Sequence, residues 1–140
     1  MNNMRSLITI TGDSAERARL EELVKGEASD FDFNKILPML DERAENGHLA
    51  SWRRFVQLWG AEECAYCFEK TATSSELFYR IIGLYGTPDE MIEELSKRFP
   101  RLTFDVHTWC EQDGDEWGYK FEAGVFCETL KSRYSAEVEP

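Results

Sequence analysis

The chain has 140 residues, of which 42% are hydrophobic, 13% aromatic and 31% charged, a composition that supports one folded domain and excludes disordered and fibrous classes. Its net charge of −11 is uneven: residues 1–60 carry 8 basic and 10 acidic side chains, residues 61–140 carry 8 and 17. With no Lys and Arg cluster beyond Arg53–Arg54 and Lys97–Arg98, direct nucleic-acid binding is disfavoured, whereas a basic protein surface that ordinarily receives nucleic acid would be attracted.

The apolar part of MNNMRSLITITGD is too short for a secretion signal, and no apolar run approaches the roughly 18 residues of a membrane span. A cytoplasmic protein is expected, with no membrane contact and with Cys64, Cys67, Cys110 and Cys127 as reduced thiols.

RSLITIT, residues 5–11, is rich in strand formers and stops at Gly12. Asp13-Ser14-Ala15-Glu16 then opens a helix, with Asp13 as cap and Glu16 reaching back; Leu20, Leu23 and Val24 are its buried stripe and Gly26 its left-handed stop. FDFNKILPML (31–40) reads as an apolar connection, because Pro38 cannot continue a helix. From Asp41 to Trp59, Leu49, Trp52, Phe55, Val56 and Trp59 recur at helical spacing, so residues 31–60 form a helical insertion.

After Gly60 the apolar period changes to 2. Residues 64–72 and 75–86 read as an antiparallel pair around Thr73-Ser74, and the second member, apolar on both faces, belongs inside the sheet. TPDEMIEELSKRFP (87–100) is a helix with Thr87 as cap, Pro88 at its first position and Met91, Ile92, Leu95 and Phe99 buried. LTFDVHTWC (102–110) and WGYKFEAGVFCETL (117–130) make a last hairpin across EQDGDE, with Leu102, Phe104, Val106 and Cys110 inward on one strand and Tyr119, Phe121, Val125 and Cys127 on the other. Residues 131–140 form a flexible tail. The order gives an α+β fold over residues 1–130: a ferredoxin-like βαββαβ sandwich with an inserted helical segment and an extra C-terminal antiparallel strand.

Leu7-Ile8-Thr9-Ile10-Thr11-Gly12, Phe33-Asn34-Lys35-Ile36-Leu37-Pro38-Met39, Trp59-Gly60 and Leu95-Ser96-Lys97-Arg98-Phe99-Pro100 together span most of residues 7–106. In these segments the chain resembles the YubB-like family of phage and plasmid proteins. The resemblance implies a ferredoxin-like domain in a bacterial host cell and supplies no catalytic residues, since the family has no established biochemical activity. It departs after Trp59-Gly60, where Ala61-Glu62-Glu63-Cys64 replaces the family's aromatic run.

Cys64-x-x-Cys67 and His107-x-x-Cys110 supply four ligands in number for zinc, but both pairs lie on expected strands, where residues i and i+3 point to opposite faces. The same parity argues against a Cys110–His107 catalytic pair, and a thioredoxin-type dithiol needs its CxxC at a helix start. No phosphate cradle, Ser-His-Asp set or HExxH occurs, so neither an enzyme nor a cofactor is expected. Glu111, Asp113, Asp115 and Glu116 crowd one loop flanked by Trp109 and Trp117, and indoles beside carboxylates suit a protein-binding patch.

The expectation is a non-enzymatic accessory protein, monomer or small homo-oligomer, that binds a host protein. Its most concrete form is an anti-CRISPR or anti-restriction inhibitor of a nucleic-acid-handling defence complex, with Trp109, Glu111, Asp113, Asp115, Glu116, Trp117, Glu122 and Glu128 as the contact residues. The alternatives are an enzyme or zinc protein using the Cys and His residues, and a nucleic-acid binder of the RRM type, in which sheet aromatics stack on bases.

Overall fold

A computed structural model describes residues 4–27, 29–32, 35–36, 61–84, 89–112 and 114–131. The expected helix over 41–59, Pro38, the Thr87-Pro88 cap and the C-terminal tail from residue 132 lie outside the described residues, as do His48 and the side chains of Glu62, Glu63 and Cys64. Within them the order is β1 (Met4–Gly12), α1 (Ser14–Val24), β2 (Ala61–Ala72), β3 (Glu76–Leu84), α2 (Asp89–Arg98), β4 (Leu102–Cys110), β5 (Glu116–Glu122) and β6 (Val125–Leu130). The strands form one six-stranded antiparallel sheet in the order β2-β3-β1-β4-β5-β6, so the fold is α+β.

Strand alternation sorts the sheet into two faces. On one, Ile8 stands between Tyr79 of β3 and Val106 of β4, and the row continues outward to Lys70 on one side and to Tyr119 and Glu128 on the other. Ile10, Leu77, Phe104 and Phe121 lie in the adjacent row. These residues are buried with Leu20 and Val24 of α1, Met91, Ile92 and Leu95 of α2, and Phe31, Ile36 and Phe99 from the connections, a single core under the helices. Ser6 and Thr108, also buried on this face, satisfy one another through a hydroxyl pair at 2.8 Å.

Local chemistry sets the element ends. Asp13 Oδ2 accepts from the Glu16 N–H at 3.0 Å, the expected cap, while the Glu16 carboxylate turns to Arg19 at 2.8 Å. Gly12 has φ +122, and a Cβ there would lie 2.5 Å from the Arg101 carbonyl oxygen. Gly26 is not the left-handed stop that its position suggests. The helix ends on extended Lys25 (φ −69, ψ 122), and Gly26 is needed for room, since a Cβ would meet the Asp32 side chain at 2.7 Å. The chain then turns back, with Gly26 N–H donating to Ser29 O and Asp32 N–H to Val24 O, and Arg98 of α2 clips it down through the Ile36 carbonyl at 2.8 Å.

The expected last strand over 117–130 is two strands. Ala123 (φ 51) and Gly124 (φ 81) form a two-residue turn of the left-handed kind that matches sheet twist, so β6 folds back beside β5. Two strands, rather than one, therefore extend the sheet beyond β4. The reversal also corrects the expected burial of Val125 and Cys127: β6 is an edge strand, and all six of its residues are exposed.

The Tyr79 ring is fully buried, edge-on to Phe31 at 4.9 Å, but its hydroxyl has no hydrogen-bond partner among the described residues. Burial, reinforced by the nearby charge of Glu21, lifts the phenol well above its ordinary value of 10.0. The folded state thus favours the neutral phenol: this contribution is whole below the ordinary value and is lost as the pH rises beyond it. Tyr79→Phe is expected to raise stability at pH 7 by about 1 kcal/mol, because it deletes an unpaired buried hydroxyl, and to move the alkaline unfolding midpoint upward in a pH titration followed by circular dichroism. Gly12→Ala is expected to cost roughly 2 kcal/mol or more in urea denaturation, since it adds both strain and a clash.

Candidate interaction site

The opposite face of the sheet carries no helix among the described residues. At its end nearest the β4–β5 loop, Arg5 of β1, Trp109 of β4 and Glu116 of β5 are consecutive cross-strand neighbours, with His107 one step along β4 on the same face. The His107 and Trp109 rings lie 5.6 Å apart at 51°. His107 Nε2 is 3.1 Å from Glu116 Oε2, a hydrogen bond in which the imidazole N–H donates, and the Arg5 guanidinium pairs with Glu111 at the loop entrance. Gly118 stands opposite His107, and β6 fills the room a side chain would need there: a Cβ would lie 2.7 Å from Thr129 Oγ1.

The loop is a closed structure. Asp115 O accepts from the Cys110 N–H at 2.8 Å, and the Cys110 carbonyl accepts from Gly114 N–H at 3.0 Å, with Gly114 at φ +73. Asp115 is buried at the base of this turn. Charged groups of this kind stay out of the interior unless paired, so the geometry makes Asp115 part of the turn's construction.

The eight residues singled out in the sequence are therefore divided. Trp109, Glu111 and Glu116 come together at the loop end of the helix-free face. Trp117 stands beside Thr108, on the helix-covered face, so the two indoles do not form one patch. Glu122 lies at the other end of β5 and pairs with Lys120 at 3.3 Å. Glu128 is on the edge strand, on the helix side, beside Tyr119. Asp113 lies outside the described residues. The sequence reading weighed His107 only as a zinc ligand or a partner of Cys110 and passed over Arg5; His107 shares its parity with Trp109, and Arg5 comes into reach only through the pairing of β1 with β4, which no local pattern specifies.

The thiols sit in three environments. Cys110 is buried at the end of β4, Cys127 is exposed on β6, and Cys67 of β2 is half-buried against the core. Burial pushes the Cys67 thiol above its ordinary value of 9.0, although its S–H donates to the Glu69 carbonyl at 3.3 Å. Beside it on β2, the Lys70 ammonium pairs with Glu21 of α1 at 2.8 Å, and that hydrogen bond holds the lysine above its ordinary value. Among the described residues no three His, Cys, Asp or Glu side chains are grouped to hold a metal ion, and no helix is long and apolar enough to cross a membrane.

Comparison with known protein families, curated proteins and solved structures finds no match.

At pH 8, alkylation with iodoacetamide followed by peptide mapping is expected to modify Cys127 first, Cys67 far more slowly and Cys110 last. Equal rates at Cys67 and Cys127 would contradict the difference in burial.

Proposed function

We propose that the protein is a non-enzymatic binding protein whose contact surface is the helix-free end of the sheet at Trp109, Glu111 and Glu116. One observation carries this reading: a half-exposed indole tilted against the His107 ring, with Glu116 as its cross-strand neighbour and Glu111 paired with Arg5 at the same end of the sheet, in a half-chain with 17 acidic and 8 basic residues. Trp is among the residues that dominate binding energy at protein interfaces, and acidic rims steer basic partners and fix their orientation. Arg5 and His107 hold the two carboxylates in place, so the surface is pre-organised, which lowers the entropy cost of docking.

The partner that fits is a protein surface of Lys and Arg that otherwise holds nucleic acid. The narrower form of the proposal is an accessory protein of a phage or plasmid, acting in the cytoplasm of a bacterial host as an inhibitor of a defence complex of the anti-CRISPR or anti-restriction type. Two things support it: the resemblance of short segments to the YubB-like family, and the first four strands. Their order β2-β3-β1-β4, with α1 and α2 in the two crossovers, fits the ferredoxin-like reading, with β5 and β6 as additions.

Immobilised protein incubated with bacterial lysate is expected to retain a basic protein that elutes as salt is raised. Trp109→Ala and the pair Glu111→Lys with Glu116→Lys are each expected to abolish its retention at physiological salt, while Glu122→Lys, at the far end of β5, leaves it unchanged. Capture of the same proteins by all variants at the same salt would refute the assignment of this surface.

A further inference from the structure

Of the two histidines in the chain, His48 and His107, the second stands inside the candidate surface. Its half-exposed imidazole donates from Nε2 to Glu116 Oε2 at 3.1 Å, and its ring lies 5.6 Å from the Trp109 indole. Histidine is the side chain whose charge ordinarily changes between about pH 5 and pH 8. A single proton taken up here therefore changes the charge beside two of the three contact residues, Trp109 and Glu116.

The other charges around the imidazole have partners of their own. On β4, Asp105 shares its face and stands directly opposite Lys120 of β5, which pairs with Glu122 at 3.3 Å. β1 sets apolar Leu7 against His107, and Arg5, one row toward the loop, pairs with Glu111. Across Leu7, Arg80 of β3 pairs with Glu69 of β2 at 3.5 Å. Opposite His107 are Gly118 of β5 and, beyond it, Thr129 of β6, both uncharged, while Glu128 is on the helix-covered face. Glu116 is thus the carboxylate that His107 touches, and the one whose charge a proton on the imidazole would offset.

We infer that His107 is a proton switch on this surface: protonation turns the His107–Glu116 hydrogen bond into an ion pair and releases a basic partner. Resting on the proposed binding surface, the switch sets the pH range in which that surface holds its partner. With a neutral imidazole, Glu116 is oriented by an N–H and its charge is open to a Lys or Arg of the partner. With an imidazolium in place, the carboxylate is neutralised within the chain and bound by a stronger, charge-assisted hydrogen bond, and a partner cation meets a like charge beside its target. By reciprocity, a bound basic partner disfavours the proton.

Two measurements test the switch. The first needs no partner. An imidazolium quenches a neighbouring indole, so tryptophan emission of the full chain is expected to fall reversibly as the pH is lowered from about 8 to about 5.5. The step is expected to vanish in His107→Gln and in Trp109→Phe and to persist in His48→Gln. The second measurement uses a capped oligoarginine peptide, whose charge is constant over this range. Its dissociation constant is expected to be about fivefold higher at the acid end. His107→Gln, which keeps an N–H for Glu116 without the charge, is expected to bind tightly throughout, and His107→Arg, charged at every pH, to bind weakly throughout. Far-ultraviolet circular dichroism checks the fold of each variant, and either one carries the comparison if the other does not fold. Emission with no step that depends on His107, binding that does not change with pH in the parent, or binding that still changes in His107→Gln overturns the switch and leaves the surface assignment standing. A peptide that binds at no pH, with the emission step intact, refutes the surface assignment, and the switch falls with it.

Discussion

β1 is hydrogen-bonded along both edges, to β3 on one side and β4 on the other, and each of those strands lies more than sixty residues away in the chain. The β2–β3 hairpin and the β4–β5–β6 meander pair locally, but they become one sheet only when β1 has found both partners. The loop-closure entropy of two long-range pairings must be met before the rows of the core run across the whole sheet. What repays it is the alternation of β1 itself. Ser6, Ile8 and Ile10 go under the helices, and a slip of one residue on either side would reverse every one of them. The buried hydroxyl pair of Ser6 and Thr108 adds to the register, since a shifted β4 would leave both groups without a partner.

That same register decides where the charges go. By fixing Arg5 opposite Trp109, β1 brings a cation to the mouth of an acidic loop that is a hundred residues away in sequence. By fixing Ile8 opposite Tyr79, it sets the row in which Lys70 lies at one rim and Glu128 lies at the other. Among the described residues the helices then cover one face only, and the sheet is increasingly exposed across its width toward β6.

Much of this is legible in the residues. The cap at Asp13, the buried stripes of α1 and α2, the hairpin between β2 and β3, and the inward parity of Leu102, Phe104, Val106 and Cys110 follow from rules that act over a few positions. Even the separation of the two indoles is implicit in strand parity, for Trp109 is out of step with Phe104 and Val106 while Trp117 is in step with Tyr119 and Phe121. Attention to their closeness along the chain hides this. Three features escape local rules. Ala123-Gly124 is a weaker turn signal than Asn-Gly or Asp-Gly, so β6 reads as a continuation of β5. Gly26 is required by the approach of Asp32, a tertiary fact that mimics a helix-stop signal. The inward pattern of Val125 and Cys127 holds only for a strand that continues β5; the turn reverses the parity, so the two residues pair with Glu122 and Lys120 on the helix-free face.

The tie between Gly124 and Ser96 has a consequence for how the domain opens. The Gly124 amide donates to the buried Ser96 hydroxyl at 2.8 Å, so β6 is anchored to α2 at its first residues and held only by β5 at its last. Fraying therefore starts at Leu130 and runs toward the turn, without disturbing the rows around β1. In deuterated solvent the strand's backbone would lose its protons in reverse chain order, and the last to go, at Gly124, would report on the departure of the helix from the sheet. The C-terminal hairpin is in this sense a hinge leaf pinned at one corner, whose swing exposes the aromatic row beneath without unfolding the protein.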